Sequence, residues 1–113
     1  MSTQLEKELL SKIERLELLE ERFQIRFEAL NVVVDEDGWV TVNFELLSNS
    51  GAEIKESILV NLVFYKKEGG IIYSDDRLVS NNDFFGIAVF KFNFQEDGAA
   101  HDIGKIRLFP TKR

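Results

Sequence analysis

The stretch "FFGIAVFKFNF", residues 84–94, holds five of the ten phenylalanines in the 113-residue chain. Successive side chains of a β-strand point to opposite faces, so every second residue shares a face. The even-numbered residues are small or apolar throughout: Phe84, Gly86, Ala88, Phe90, Phe92 and Phe94. The odd-numbered residues turn polar at their end: Phe85, Ile87, Val89, Lys91 and Asn93. The pattern predicts a strand whose even-numbered side chains line a core and whose other face reaches solvent.

Phe85 and Ile87 are apolar members of the outward set. On the solvent face, these apolar side chains contact water unless another protein surface covers them. We expect that either the N-terminal helix described below or a partner protein covers them.

The segments around this stretch also carry strand signals. "LNVVV" (30–34) and "WVTVNFELLS" (39–48) flank "DEDG" (35–38), where Asp37 and Gly38 supply the positive-φ positions of a tight hairpin. Further apolar runs between turn residues occupy 57–67, 71–80 and 105–109. Six or seven short strands with turn signals roughly every ten residues predict an immunoglobulin-like antiparallel β-sandwich.

The N-terminal residues 3–22 instead predict an amphipathic helix, rich in Glu, Leu, Lys and Arg and free of Gly and Pro. Its apolar stripe, at helical spacing, consists of Leu9, Ile13, Leu16 and Phe23. Extended as heptads, the stripe includes Glu20 as its polar member and is long enough for a coiled coil. Strand-like alternation begins at Phe23, so the helix-to-strand junction lies between 21 and 30, and we favour Glu21–Arg22.

The length of the chain predicts a single domain over residues 1–113. We divide it into the helix (3–22), the β-sandwich (23–110) and a basic tail (111–113).

Composition excludes several classes of function. The net charge of −6 argues against nucleic-acid binding, which depends on Lys and Arg at phosphates. The chain has no cysteine and therefore no thiolate chemistry. No apolar run is long enough for a membrane span, and the charged N-terminus does not resemble a signal peptide. We expect a cytoplasmic protein that binds neither nucleic acid nor membrane.

No motif for a nucleophile, a metal site or a phosphate loop occurs, so we expect a protein that is not an enzyme and has no cofactor. The turns are rich in acidic residues, and oxygen ligands from several loops can chelate Ca²⁺. The metal candidates are Asp35, Asp37, Asp75 and Asp76. The alternative is that turns use Asp, Asn and Gly for their backbone geometry.

Three stretches carry a family resemblance: "DGWVTVNFELLSNSGAEI" (37–54), "LVNLVFYKKEGGII" (59–72) and "KFNF" (91–94). Ser48-Asn49-Ser50-Gly51 ends one strand, Val63-Phe64-Tyr65 closes the next, and Gly69-Gly70 forms a turn. This arrangement, over about residues 31–109, resembles FxLyD-type and related small immunoglobulin-like bacterial domains. The resemblance implies a sandwich fold and a role as an interaction module. Lys66 stands where that pattern usually has an acidic residue.

We therefore expect a protein-binding or assembly module, with a homodimer through the N-terminal helix as the first model. The predicted contact residues are Leu9, Ile13, Leu16, Phe23, Trp39 and Phe85. Trp39 is included because an exposed tryptophan beside a turn is a frequent anchor for a partner. The alternative function is a Ca²⁺- or ligand-binding sandwich that uses the acidic loops.

Overall fold

The computed structural model describes residues 3–113, which form two packed β-sheets preceded by a short helical segment. The helices are α1 (Thr3–Ser11), α2 (Glu17–Arg22) and α3 (Ala99–Asp102). The strands are β1 (Ile13–Arg15), β2 (Ile25–Val34), β3 (Val40–Ser48), β4 (Ile58–Lys66), β5 (Ile71–Val79), β6 (Ile87–Phe94) and β7 (Ile103–Lys112).

One sheet has four strands in the order β1-β7-β4-β5, and the other has three in the order β2-β3-β6. Neighbouring strands run antiparallel except β1, which is parallel to β7. The predicted fold class, a mainly antiparallel β-sandwich with helical structure at its N-terminus, is confirmed. No helix among residues 3–113 is long and apolar enough to span a membrane.

The core follows the alternation predicted for residues 84–94. Phe84, Phe92 and Phe94 are buried, and Ala88 and Phe90 pack against the core. On the adjacent strand, the Phe44 ring stacks on Phe90 and Phe92 at centroid distances of 5.4 and 5.6 Å. These stacked rings join β3 and β6 along their inner faces and add to the stabilisation from buried area.

A β-bulge in β2 reverses which residues face the core. Ile25 and Phe27 are buried before the bulge, whereas Val32 and Val34 are buried after it. The register with β3 shifts between Glu28 and Asn31, and Ala29 takes a left-handed φ of 55°. The extra residue changes the inward parity from odd to even, so both apolar runs of β2 reach the core.

The N-terminal segment differs from the single helix predicted over 3–22, because a strand interrupts it. Residues of β1 lie in parallel register with β7, with Ile13 opposite Ile106. The carbonyl of Lys12 accepts a hydrogen bond from the Ile106 amide at 3.2 Å. The prediction of one uninterrupted helix is therefore wrong, because pairing with β7 satisfies the backbone groups of residues 13–15 and overrides their helix propensity.

An ion pair stabilises the junction between β1 and α2. Glu20 is buried, and both of its carboxylate oxygens accept hydrogen bonds from Arg15, at 2.6 and 2.9 Å. The hydrogen bonds that Arg15 donates to Glu20 raise the pKa of the Arg15 guanidinium. A bidentate Arg–carboxylate contact of this kind holds the end of β1 against α2. Glu20, the polar residue of the predicted heptads, thus has its partner within the chain.

Both N-terminal helices pack at one side of the sandwich, where their main contacts are with β2 and β7. Phe85 and Ile87 lie on β6 or just before it, at the other side, and remain exposed. The expectation that the helix covers them is wrong. The apolar stripe of the helix instead closes the gap between the two sheets next to β2.

The structure bears on two predicted boundaries, the helix-to-strand junction and the start of the basic tail. The junction favoured at Glu21–Arg22 is confirmed, since α2 ends at Arg22 and β2 begins at Ile25. The basic tail predicted at 111–113 is too long, because β7 continues to Lys112. The Asn61 amide donates to the Thr111 hydroxyl at 3.0 Å, which ties the end of β7 to β4.

The packing of α1 predicts a contrast between two adjacent leucines. Leu9 is 0% exposed, whereas Leu10 is 39% exposed. We expect Leu9→Ala to lower the free energy of unfolding by about 2–4 kcal/mol, because it leaves a cavity in the core. Leu10→Ala should change it by about 0.5 kcal/mol. Urea unfolding of both variants measures this, and equal losses would contradict the placement of α1.

Candidate interaction surface

The outward face of β6, with Phe85 two residues before the strand, exposes an apolar row. Phe85, Ile87 and Val89 are 82%, 52% and 74% exposed. They are the odd-numbered residues predicted to face outward. Because the even-numbered side chains are buried, the odd-numbered side chains point to the opposite face, towards solvent. Contiguous exposed apolar side chains on a small protein mark a surface for interaction. We call Phe85, Ile87 and Val89 the outer row.

The backbone of β6 is unpaired along the same residues. The carbonyl of Gly86 accepts a hydrogen bond from the amide of Ser48 at 3.2 Å, one step beyond the last register pair, Leu47 and Ile87. Hydrogen-bonded and non-hydrogen-bonded pairs alternate in an antiparallel ladder. Even-numbered residues of β6 therefore bond to β3, and the N–H and C=O groups of Ile87 and Val89 point away from it. Among the strands of residues 3–113, none pairs with β6 on that side.

Contacts within the chain close both ends of this free edge. At one end, Arg77 of β5 donates a hydrogen bond to the carbonyl of Lys91 at 3.4 Å. The guanidinium carbon of Arg77 also lies 4.5 Å from the centroid of Phe92. At the other end, the amide of Asp83 donates to the carbonyl of Ser80 at 3.1 Å within a turn. The open stretch of β6 backbone therefore consists of residues 87–89, at the start of the strand.

A groove lies beside this edge, between β5 and β6. Its volume is about 360 Å³, and Leu78 and Val79 line it on the β5 side. Ala88, Val89 and Phe90 line it on the β6 side. Leu78 is itself exposed, so the apolar surface continues from the outer row across to β5. An extended segment laid along β6 would bring its own side chains into this groove.

Charge is distributed unequally along the edge. Asp83 precedes the outer row and Lys91 follows it, and both are exposed. Neither forms one of the ion pairs found among residues 3–113. The edge is thus acidic at its start, apolar at its centre and basic at its end.

The predicted contact residues of the N-terminal segment lie elsewhere and face inward. Leu9 is fully buried, and Ile13 and Phe23 are partly buried against the core. Leu16 is half-buried at the start of α2. A dimer contact through Leu9 would require α1 to leave the sandwich. Of the six predicted contact residues, Phe85 is the one in the outer row.

Trp39 joins two turns within the chain. Its indole N–H donates to the carboxylate of Asp97 at 2.8 Å. Beneath it the two turns are in backbone contact, since the amide of Gly98 donates to the carbonyl of Asp37 at 2.8 Å. The carbonyl of Gly38 accepts from the amide of Ala100 at 3.0 Å. Trp39 therefore braces the turn between β2 and β3 against the connection that follows β6.

The predicted metal candidates do not form one cluster. Asp35 accepts hydrogen bonds from the amides of Asp37 and Trp39 at 2.9 and 3.0 Å, as a turn residue does. Asp75 and Asp76 lie within β5, and Asp75 pairs with Arg77 at 2.5 Å. Within residues 3–113, no group of three His, Asp or Glu side chains is placed to hold a metal ion.

A second concavity, of about 320 Å³, lies beside β7 and is lined by cationic side chains that include Lys66, Lys105 and Arg107. Arg107 donates a hydrogen bond of 2.5 Å to Glu14 and one of 3.4 Å to the Tyr65 hydroxyl. The bond from Arg107 lowers the pKa of Glu14, and the same bond raises the pKa of Arg107. The guanidinium is already paired, so this concavity is a weaker candidate for binding than the β6 edge.

Three members of the exposed surface, Ile87, Val89 and Leu78, were not among the six predicted contact residues. The signal for Val89 was present, because it shares the parity of Phe85 and Ile87 and precedes the first polar residue of that face. Leu78 could not be found in this way. It joins the surface because β5 and β6 are the adjacent edges of the two sheets, and strand order is a property of the fold.

Comparison with protein-family models, with curated proteins and with solved structures finds no match to this chain. The likeness to FxLyD-type domains, and with it the immunoglobulin-like assignment, stays a prediction from residues 31–109. The candidate surface therefore depends on its own geometry.

Two glycine substitutions test the brace between the turns. Gly38 and Gly69 both have positive φ, of 81° and 108°. A Cβ on Gly38 would lie 2.9 Å from the backbone of Gly98, whereas one on Gly69 would meet nothing within 4 Å. We expect Gly69→Ala to cost about 1–2 kcal/mol of stability from backbone strain alone. Gly38→Ala should cost measurably more in urea unfolding, and equal costs would show that the turns are not in contact.

Proposed function

We propose that this protein is a non-enzymatic interaction or assembly module whose contact surface is the free edge of β6 with the outer row. The observation that carries the proposal is the coincidence of two features on the same residues. Ile87 and Val89 present exposed apolar side chains, and their backbone N–H and C=O groups are unpaired.

The physical argument concerns how proteins treat sheet edges. An exposed edge strand is a template for another strand, and soluble proteins usually block it with charges, proline, bulges or a covering element. Here β5 carries such protection, since the half-buried Arg77, paired with Asp75, donates a hydrogen bond to the backbone of β6. The stretch from Phe85 to Val89 carries no charge. An unprotected stretch beside a protected one supports use of that stretch in binding.

Binding at a sheet edge also explains the chemistry of the surface. Main-chain hydrogen bonds supply affinity for an extended segment, and alternate side-chain pockets supply selectivity. The groove at Leu78 offers such a pocket next to β6.

No observation favours the Ca²⁺-binding alternative in the same way. A chain of this length without cysteine suits a reducing compartment, which supports the cytoplasmic location we propose.

Site-specific photo-crosslinking in the cells that produce the protein tests the proposal. We would place a benzophenone amino acid at Val89, and at Leu18 as the matched control. Leu18 is 81% exposed and apolar, but it lies on α2. We expect position 89 to give at least about tenfold more covalent protein adducts than position 18. The reason is that a bound partner lies in contact with the outer row and not with α2.

Mass spectrometry of the adducts then identifies what was captured. Adducts that are specific to position 89 and disappear when Ile87→Lys is added would support the proposal. Equal yields from positions 89 and 18, or no adduct from position 89, would overturn it.

A further inference from the structure

We infer that the β6 edge selects an extended segment of a partner protein, antiparallel to β6, with the pattern acidic–any–apolar–apolar–apolar from its N-terminus to its C-terminus. This partner chemistry rests on the proposed function and deepens it. Three features within β6 carry it: the free backbone of Ile87 and Val89, the groove beside Ala88, and the unpaired ammonium group of Lys91.

The free backbone groups determine how the segment aligns. The N–H and C=O groups of Ile87 and Val89 point away from β3, and both residues lie within the regular strand. In an antiparallel pair, such a residue exchanges both of its hydrogen bonds with the one residue opposite it. A segment therefore satisfies Ile87 with one residue and Val89 with a second residue two positions away. The antiparallel direction continues that of β2, β3 and β6, and it is the more stable one per residue.

The side chains of the segment then meet two apolar surfaces. The residues opposite Ile87 and Val89 lie beside the exposed outer row, where burial against it favours apolar side chains. The residue between them lies opposite Ala88 and points to the other face. There it enters the groove that Leu78 and Val79 line across from β6. An apolar lining favours an apolar side chain, so three consecutive positions of the segment are apolar.

Lys91 adds a charge to this surface. It is exposed on the same face, two residues beyond Val89, and β6 is still regular there, with Asn43 opposite it. It forms none of the ion pairs found among residues 3–113, and Glu45, diagonal to it across the ladder, does not pair with it. Arg77 bonds to the carbonyl of Lys91 and leaves the ammonium group free. A carboxylate on the segment residue opposite Lys91 would form a stabilising cross-strand pair.

The antiparallel direction sets the order of the pattern. Because Lys91 follows Val89 in β6, the segment residue opposite Lys91 precedes the one opposite Val89. The acidic residue therefore comes first and the three apolar residues come last. The position between them lies opposite Phe90 and is not selected by either feature. A parallel segment would need the reverse order.

The length of the contact predicts a weak affinity for an isolated peptide. An interface of standard size buries about 800 Å² on each partner, and five residues cover less than that. We expect a dissociation constant on the order of 0.1–1 mM. Nuclear magnetic resonance measures affinities in this range and also locates the bound peptide.

Titration of the isotope-labelled full chain with two synthetic peptides tests the pattern. The probe is SETVLVS, and its composition-matched control is the reversed sequence SVLVTES. We expect SETVLVS to shift the amide resonances of Ile87 and Val89, because the segment pairs with them. It should bind about fivefold more tightly than the reversed peptide, which cannot place its carboxylate at Lys91 in the antiparallel direction.

A charge exchange tests Lys91 itself. Lys91→Glu should bind SETVLVS about tenfold more weakly than the wild type, because an attractive pair becomes a repulsive one. The same variant should bind SKTVLVS more tightly than the wild type does. Lys67→Glu, at an exposed position in the turn after β4, is the control. It changes the net charge equally and should bind SETVLVS within about twofold of the wild type. Circular dichroism confirms that each variant is folded.

Three results would each overturn the pattern: no shift at the two amides with SETVLVS, equal binding of SETVLVS and its reverse, or a Lys91→Glu variant that still prefers SETVLVS to SKTVLVS. If position 89 nevertheless crosslinks to a partner in cells, the interaction module stands and the pattern alone is wrong. Absence of any adduct from position 89 would overturn the proposed function, and the partner chemistry with it.

Discussion

Burial of the even-numbered side chains of β6 is the constraint on which the rest of the structure depends. The pairing of β6 with β3 stacks Phe90 and Phe92 on Phe44 and closes the core. Because the side-chain period of a strand is two, the same pairing turns Ile87 and Val89 outward. It also directs their backbone groups to the side without a neighbour. A slip of one residue would bury Lys91 and expose the phenylalanines, so the register is strongly specified.

A sandwich of two sheets has two sides at which its edge strands meet, and this chain closes them differently. On one side α1, β1 and α2 fill the gap between β2 and β7, fixed by the pairing of β1 with β7 and by the ion pair of Glu20 with Arg15. On the other side, Arg77 of β5 reaches across to β6, and the ring of Tyr73 stacks on Phe94 at 4.6 Å. The first side adds to the stability of the fold. The second leaves the surface that we propose for assembly.

Sequence periodicity was sufficient for the face of each residue in residues 84–94. The turn residues located the hairpin between β2 and β3, but Gly38 has positive φ whereas Asp37, predicted to share it, does not. Periodicity also located the end of the helical segment. It could not predict β1, because Ile13–Arg15 has no strand pattern of its own and becomes a strand by pairing with residues of β7 far along the chain. It also could not predict which side of the sandwich the helices cover. Periodicity reports which face of an element is buried and not what it is buried against.

The candidate surface, too, was predictable in part: local parity was sufficient for some of its features, and others depend on the tertiary fold. The outward position of Phe85 and Ile87 follows from parity, whereas their lack of a cover and the neighbouring Leu78 follow from strand order. Trp39 was expected at a surface for partners because of its place beside a turn. Its hydrogen bond to Asp97 joins two turns that are distant in sequence, and no local pattern contains that contact.

Amide hydrogen exchange of the dilute protein tests the central claim, the free edge of β6, most directly, because it reads each N–H of the strand separately. At high dilution, the account predicts fast exchange at Ile87 and Val89 and slow exchange at Ala88 and Phe90, which bond to β3. Equal protection of odd-numbered and even-numbered amides would contradict a free edge.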